Sequence, residues 1–383
     1  MGGLIAHEWI APTGGSENVL HAMANVYPDA DIFCLWNDDW DRFPADRVME
    51  SWLAATPLRN RKALALPVMP LVWRGVNVAD YDWTLVSSHA FAHQLGSKKS
   101  RLNANIFVYV HTPARYVWAA ELDPRGSSPA ARLMSPMLRT IDRARAAEGP
   151  AFAANSAFIQ DRIRTSWHQD STVIYPPVRV ETLQATRSWR DSLSSSDEQI
   201  IESLPTPFIF AASRFVHYKR LDVAIAAGEA AGLPVVIAGS GPQHAELLAA
   251  ASAASVPVYV LDRPSDSLLF ALYELAALFV FAAVEDFGIM PVEAMCLGTP
   301  VLATSVGGAA ESVTALRGGA VVESFAPEEL RRGVDRALAT SMSSAQSRAA
   351  EEFGEAAFDR RLTAWMNLPA QRDDSPNALI GNI

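Results

Sequence analysis

Cysteine is nearly missing: Cys34 and Cys296 are the only two in 383 residues, far apart in sequence and without a CxxC or Cys/His metal spacing. That scarcity excludes a disulfide scaffold and a thiolate zinc site, and both residues read as free core thiols of a reducing cytoplasm. Positive charge is also short, with 32 Lys and Arg against 42 Asp and Glu and a formal net charge of -10. Wholesale nucleic-acid binding needs the opposite balance. There is no apolar run fit to cross a bilayer. The most apolar stretch, Leu268 to Val284, contains Glu274 and reads as a helix followed by a buried strand. The N-terminal run has no cationic n-region or cleavage site, so no secretory signal is expected.

Half of the residues are hydrophobic and 19% are charged, enough apolar surface for sizeable cores. At this length two domains are expected rather than one. Short apolar runs alternate with helix-period segments from the start: Leu4 to Ile10, Asp31 to Trp36, Trp83 to Ser87, Ile106 to Val110, Ala151 to Ala154 and Thr172 to Ile174 are strand candidates. Buried strands separated by helices mean a parallel α/β sheet. Tyr175-Pro176-Pro177 ends this series, and the polar stretch from Glu181 to Pro205 reads as a linker with one helical piece. The pattern then restarts with strands at Phe208 to Ala212, Val235 to Ala238, Val256 to Leu261, Ala277 to Phe281, Val301 to Thr304 and Ala320 to Val322. The expected domains are residues 1–180 and 205–345. Residues 346–368 form a helical end carrying Phe353, Phe358 and Trp365 at helical spacings, and residues 369–383 a flexible polar tail.

The sharpest motif is Glu285-Asp286-Phe287-Gly288-Ile289-Met290-Pro291-Val292-Glu293, two glutamates eight apart across a strand-to-helix junction. Pro291 suits a first helical turn, so Phe287, Gly288, Ile289 and Met290 should present backbone N–H groups at a helix N-terminus, where a diphosphate binds naturally. Glu285 is placed just before that helix and Glu293 in its first turn. Ser213-Arg214-Phe215-Val216-His217-Tyr218-Lys219-Arg220 follows the first strand of the second half. Two cations five residues apart at a sheet's carboxyl edge can clamp a diphosphate and stabilise a departing phosphate, whereas Arg220 should face solvent or pair with Asp222.

Two glycine turns suggest further backbone approach to a ligand. Gly239-Ser240-Gly241-Pro242 follows a strand, but His244 in the sixth position breaks a dinucleotide GxGxxG, so a nicotinamide enzyme is not expected. Gly307-Gly308 precedes Glu311. In the first half, Gly14-Gly15-Ser16-Glu17 opens a helix, with Gly15 free to approach phosphate or sugar and Ser16 a candidate helix cap. His111-Thr112-Pro113 places an imidazole at the carboxyl edge of the strand Ile106 to Val110.

In order and spacing these segments resemble glycosyltransferase family 4, in particular its bacterial mannosyltransferase-like members. The likeness runs through Gly14 to Glu17, Ser87-Ser88-His89-Ala90, Tyr109 to Pro113, Asn155-Ser156, Val173 to Val178, Ser213-Arg214 with Lys219, Glu285 to Glu293, and Gly298-Thr299-Pro300-Val301. The resemblance implies an α/β fold of GT-B type: two facing Rossmann-like domains, acceptor-side then donor-binding, with the C-terminal helix crossing back to the first. Phe353, Phe358 and Trp365 would be that helix's packing face. It further implies that Arg214 and Lys219 hold the donor diphosphate, Glu285 the sugar hydroxyls and Glu293 the ribose. Gly15 would approach phosphate or sugar and His111 would line the reacting centre. Gly239 and Arg263 complete the expected donor-side residues, Arg263 in the loop where the base is recognised. Glu8-Trp9 departs from the Asp before an aromatic found in many relatives, which affects the shape of the acceptor pocket.

The implied activity is retaining hexosyl transfer in glycan biosynthesis, mannosyl from GDP-mannose favoured and a UDP-hexose the rival donor, to a saccharide or lipid-linked saccharide. No cofactor and no metal are expected; Asp38-Asp39 and Asp29-Ala30-Asp31 lie outside the ligand-binding loops of the donor half. The expected location is cytoplasmic, with peripheral contact at the inner face of the membrane through a basic loop of Lys98, Lys99 and Arg101. The competing readings are a GT-B sugar-nucleotide epimerase, which needs acid/base groups beyond His111, and a non-catalytic GT-B partner subunit.

Overall fold

The structure is a computed structural model, and it describes residues 2–59, 61–102, 104–118 and 129–368. The chain forms two units, one of residues 1–175 with 358–383 and one of residues 176–357. The tail at 369–383, expected to be flexible, lies outside the described residues.

The first unit holds a seven-stranded sheet of β1 (Gly3–His7), β2 (Asp31–Cys34), β3 (Val48–Glu50), β4 (Trp83–Ser88), β5 (Asn105–Val110), β6 (Ala151–Ala154) and β7 (Thr172–Val173), in the order β3-β2-β1-β4-β5-β6-β7. Each pairing is parallel. Side chains alternate between two apolar layers: Leu4, Ala6 and Val86 enter one, and Ile5, Leu85 and Tyr109 enter the other. A sheet covered on both faces explains why its strands read as continuous apolar runs. Only β3 was not anticipated, since three residues are too few to show alternation.

The second unit carries β8 (Ile209–Arg214), β9 (Val235–Ser240), β10 (Val258–Asp262), β11 (Leu278–Phe281), β12 (Val301–Thr304) and β13 (Gly319–Val322), ordered β10-β9-β8-β11-β12-β13 and again parallel. In both sheets the strand order reverses once, between β1 and β4 and between β8 and β11. Crevices at the carboxyl ends of such strands are where open α/β sheets bind ligands.

Two expectations about chain organisation change. The stretch taken as a linker is built into the second unit: it forms helices Val180–Ala185 and Ser195–Ser203, the latter capped by Ser194, whose Oγ accepts from Asp197 N at 3.2 Å. Trp189 rests 4.6 Å from the ring of Phe270 and donates its backbone N–H to Glu274. The polar composition belonged to a capped surface helix, not to loose chain. The single helix expected over 346–368 is two helices, Ser343–Phe353 and Glu355–Met366, parted at Gly354. Phe353 packs on Phe287 of the second unit, whereas Phe358 and Trp365 pack in the first, Phe358 against Tyr109 and Trp365 against Phe107. Arg101 also departs from the basic loop proposed for it. It is buried and donates to the carbonyl of Leu95 at 3.0 Å, leaving Lys98 and Lys99 exposed.

Candidate active site

At the switch point of the second sheet, β8 ends on Arg214 and the chain turns through a 3-10 turn, His217–Lys219. Lys219 turns inward and forms an ion pair with Glu285, which lies in the loop between β11 and the helix Ile289–Cys296. The two side chains are only 9% and 25% exposed, so this pair is far less screened than a surface one. Arg214 is exposed and donates to the hydroxyl of Tyr218 at 2.5 Å. Arg220 pairs with Asp222 at 2.9 Å, as expected. The sequence thus brings two cations and a carboxylate to one strand-end crevice.

The glycines around this crevice are required by the chain's own packing. A Cβ on Gly239 would stand 1.8 Å from the carbonyl oxygen of Ser213, and one on Gly241 2.6 Å from that of Phe215. The β9 turn can therefore lie against the Arg214 loop only because both residues lack side chains. Main-chain bonds close the same seam: Phe215 N to Ser240 O at 2.7 Å and Arg263 N to Gly239 O at 3.0 Å. Likewise Gly307 and Gly308, expected to approach a ligand, back the Glu285 loop. A Cβ on Gly308 would stand 2.4 Å from Asp286 O, and its N–H donates to Glu285 O at 2.9 Å. These glycines position Arg214 and Glu285.

The helix Ile289–Cys296 is entered through Gly288 at φ +88°, packed near Ala309. Ile289 and Met290 are its first two residues, and the N–H groups of a first turn point out of the helix. Phe287 is buried against Phe353, so only its backbone is available to a ligand. Glu293 is the fifth helical residue, one turn deeper than expected. Burial pushes its carboxyl up to about 7, opposed by the positive charge of Arg179. Arg263, φ +44°, is largely exposed beside Asp262.

His111 and Gly15 belong to the first unit. Gly15 begins the helix Gly15–Val26 and is exposed, but Ser16 is not the cap: Gly14 occupies that position and Ser16 Oγ donates to Glu17 at 2.8 Å. Glu17 is buried where a Cβ on Gly14 would fall, and that burial raises its pKa. His111 follows β5, and its Nε2 lies 2.8 Å from Ser87 Oγ, which lies 3.0 Å from His7 Nδ1. Burial lowers His7 to about 3, with the neighbouring His89 adding to the effect, and lowers His111 for the same reasons, so both rings are neutral.

Sequence reasoning passed over His7, took Ser87 only as part of a motif and Glu8 only as a departure at the acceptor pocket. The available signal was polar residues continuing the apolar i, i+2 rows of two strands. Glu8 is buried and accepts from the backbone N–H groups of His89, Ala90 and Ala92 at 2.7 to 3.1 Å, so it organises the loop after β4. His7, Glu8 and His89 are the one group among the described residues whose ligand atoms all lie within 4.8 Å of one another. The carboxylate's lone pairs are largely taken up by those N–H donors, which leaves little capacity for an ion. Of the acids set aside as metal ligands, Asp31 accepts from Tyr81, Asp38 pairs with Arg59 and Asp39 with Arg42.

Residues 195–360 match the family described as Glycosyl transferases group 1. The chain is 31% identical over 182 residues to the D-rhamnosyltransferase WbpZ of Pseudomonas aeruginosa, covering 46% of this chain and 44% of that protein. The match therefore spans less than half of the curated relative. Among solved structures, Anabaena Alr3699/HepE in complex with UDP superposes with a TM-score of 0.71 at 17% identity, over 96% of this chain and all of that one. Sucrose-phosphate synthase of Thermosynechococcus elongatus gives 0.67 at 16% identity, over 96% and 98%. At these identities the likeness is one of fold, the two-sheet GT-B fold expected from the sequence. Arg214, Lys219, Glu285 and Glu293 all lie within the segment that matches this family.

Proposed function

We propose that the protein is a glycosyltransferase that takes a hexosyl group from a nucleoside diphosphate sugar and passes it to a saccharide or lipid-linked saccharide, with retention and without a metal ion. The observation that carries this is the Lys219–Glu285 pair beside Arg214 at the β8/β11 switch point. Arg214 and Lys219 would hold the diphosphate and stabilise the charge that grows on the departing phosphate. Glu285, already at the end of the Lys219 side chain, would take the sugar hydroxyls, and Glu293 the ribose. As the sugar leaves, a phosphate oxygen of the donor would accept the proton of the attacking hydroxyl, so no carboxylate need form a covalent bond. His111 is proposed as a group of the reacting centre.

A named D-rhamnosyltransferase relative and a neighbour of like fold crystallised with UDP support a nucleotide-sugar donor. GDP-mannose is the first donor to test and UDP-glucose its rival, the latter favoured by the UDP-glucose complex of HepE. The test measures nucleoside diphosphate release from each donor, with EDTA and simple mannoside or glucoside acceptors, and the anomeric configuration of any product. A product of unchanged configuration in EDTA supports the proposal; an inverted product or a strict metal requirement refutes those parts of it.

A further inference from the structure

The three side chains at the β1/β4 switch point fix the position of a proton. His7 and Ser87 are paired in register across β1 and β4, and Ser87 is paired with Tyr109 across β4 and β5. His111, two residues beyond Tyr109, continues that row, so the three side chains fall on one face of the sheet. His7 Nδ1 lies 3.0 Å from Ser87 Oγ and also 3.3 Å from the Ser87 carbonyl oxygen. A carbonyl oxygen can only accept, so a bare Nδ1 would set two lone pairs against each other; Nδ1 of His7 therefore carries the hydrogen. Ser87 has one hydroxyl proton. It accepts from His7, and its proton has no other acceptor among the described residues, so it donates to the nitrogen 2.8 Å away on its other side, His111 Nε2.

Nε2 of His111 is then the bare nitrogen, and the ring's hydrogen sits on Nδ1. Both rings are neutral, so no second hydrogen restores symmetry. His111 Nδ1 has no hydrogen-bond partner among the described residues, and the residue as a whole is 9% exposed. His7 is fully buried, and its Nε2, left bare by the same assignment, has no partner among the described residues either.

We propose that His7 and Ser87 act as positioning residues that lock His111 in its Nδ1–H tautomer, so that it meets a ligand as a hydrogen-bond donor to an oxygen and not as a base. The catalytic meaning of this donor rests on the transferase proposed above; the tautomer itself does not.

The test is a long-range proton–nitrogen spectrum of the full chain labelled with nitrogen-15 histidine, with His111 assigned by the signals missing in His111→Gln. The expected spectrum shows a protonated Nδ1 and an unprotonated Nε2 for His111. In Ser87→Ala the Nε2–H form should appear. An Nε2–H tautomer in the wild type overturns the proposal, and so does a His111 tautomer unchanged in Ser87→Ala. Turnover gives a second readout. His7→Phe should lower kcat about tenfold with the donor KM unmoved, the scale of one misplaced hydrogen bond. His7→Asn, which keeps an N–H near the Nδ1 position, should recover most of the loss, and equal losses in both variants contradict positioning. A locked Nδ1–H tautomer in a protein that binds no nucleotide sugar would uphold the relay and dismiss the transferase.

Discussion

At the β1/β4 switch point, His7, Ser87 and His111 are buried, neutral and hydrogen-bonded to one another. At the β8/β11 switch point, Arg214 is exposed, while Lys219 and Glu285 are charged and compensate each other. The same topological position is thus used in two ways. The first unit holds a finished polar network whose geometry is set before any ligand arrives. The second holds a charge cluster in which Arg214 has no ion pair among the described residues, the state expected of a site that binds an anion.

The first unit also contains a buried charge that is structural. Asp142 accepts from Trp118 and Trp167 at 2.7 Å and from Gln94 at 2.9 Å, and His93 Nε2 lies 3.0 Å away. Burial alone would raise its pKa, but the charge and hydrogen bond of His93 with the two indole donors hold it below the usual carboxylate value. Removing it orphans the two indole N–H groups and the Gln94 amide and takes away the charge beside His93, so Asp142→Ala should cost about 3 to 5 kcal/mol by denaturant melt. A cost below about 1 kcal/mol would break the view of the first unit as a prebuilt network. The sign of the shift also means that this stability is present above pH 3.8 and lost as pH falls below it.

Next in size is Lys219→Ala, expected to lower sugar transfer by roughly 100- to 1000-fold, the effect of deleting one preorganised electrostatic group. Glu285→Ala should act similarly while both variants remain folded by circular dichroism. Near-normal turnover would move the donor site elsewhere. Gly239→Ala should destabilise by about 1 to 3 kcal/mol, because the methyl meets the Ser213 carbonyl, and should weaken nucleotide binding by displacing Arg214.

Glu293 gives the pH behaviour opposite to that of Asp142. Between its ordinary 4.5 and about 7 the folded protein keeps a proton that the unfolded chain has released, so stability falls as pH rises through that window and levels off above it. Glu293→Gln should abolish this slope and melt higher than the wild type at about pH 8, by on the order of 1 to 3 kcal/mol, with no difference at about pH 4. The smallest effect belongs to Arg263→Ala: an exposed ion pair with Asp262 should change stability by less than about 0.5 kcal/mol, so any larger loss of nucleotide affinity would come from the base it was expected to meet.

The sheets were legible in the sequence because parallel strands buried on both faces read as unbroken apolar runs, bounded correctly to within a few residues. The pairing of Lys219 with Glu285 was legible because each lies in a short charged segment that follows a strand. The first unit's network was not, since His7 and Ser87 are 80 residues apart and meet only through the β1/β4 register. The glycines were ambiguous for a different reason. A residue without a side chain signals close approach but not what approaches, and at Gly239, Gly241, Gly307 and Gly308 the neighbour is the chain's own backbone. At the C-terminal end, the spacing of Phe353, Phe358 and Trp365 suited one helix, and only the break at Gly354 shows that these rings serve different units.

Melting in the presence of GDP, GDP-mannose, UDP and UDP-glucose tests whether the second unit binds a nucleoside diphosphate through Arg214 and Lys219. A ligand that binds only the folded state stabilises it by about 2.7 kcal/mol at one hundred times its Kd. With EDTA present, one nucleotide family should raise the melting temperature of the wild type and fail to raise that of Lys219→Ala. No shift with any of the four, or an equal shift in both proteins, would contradict the account.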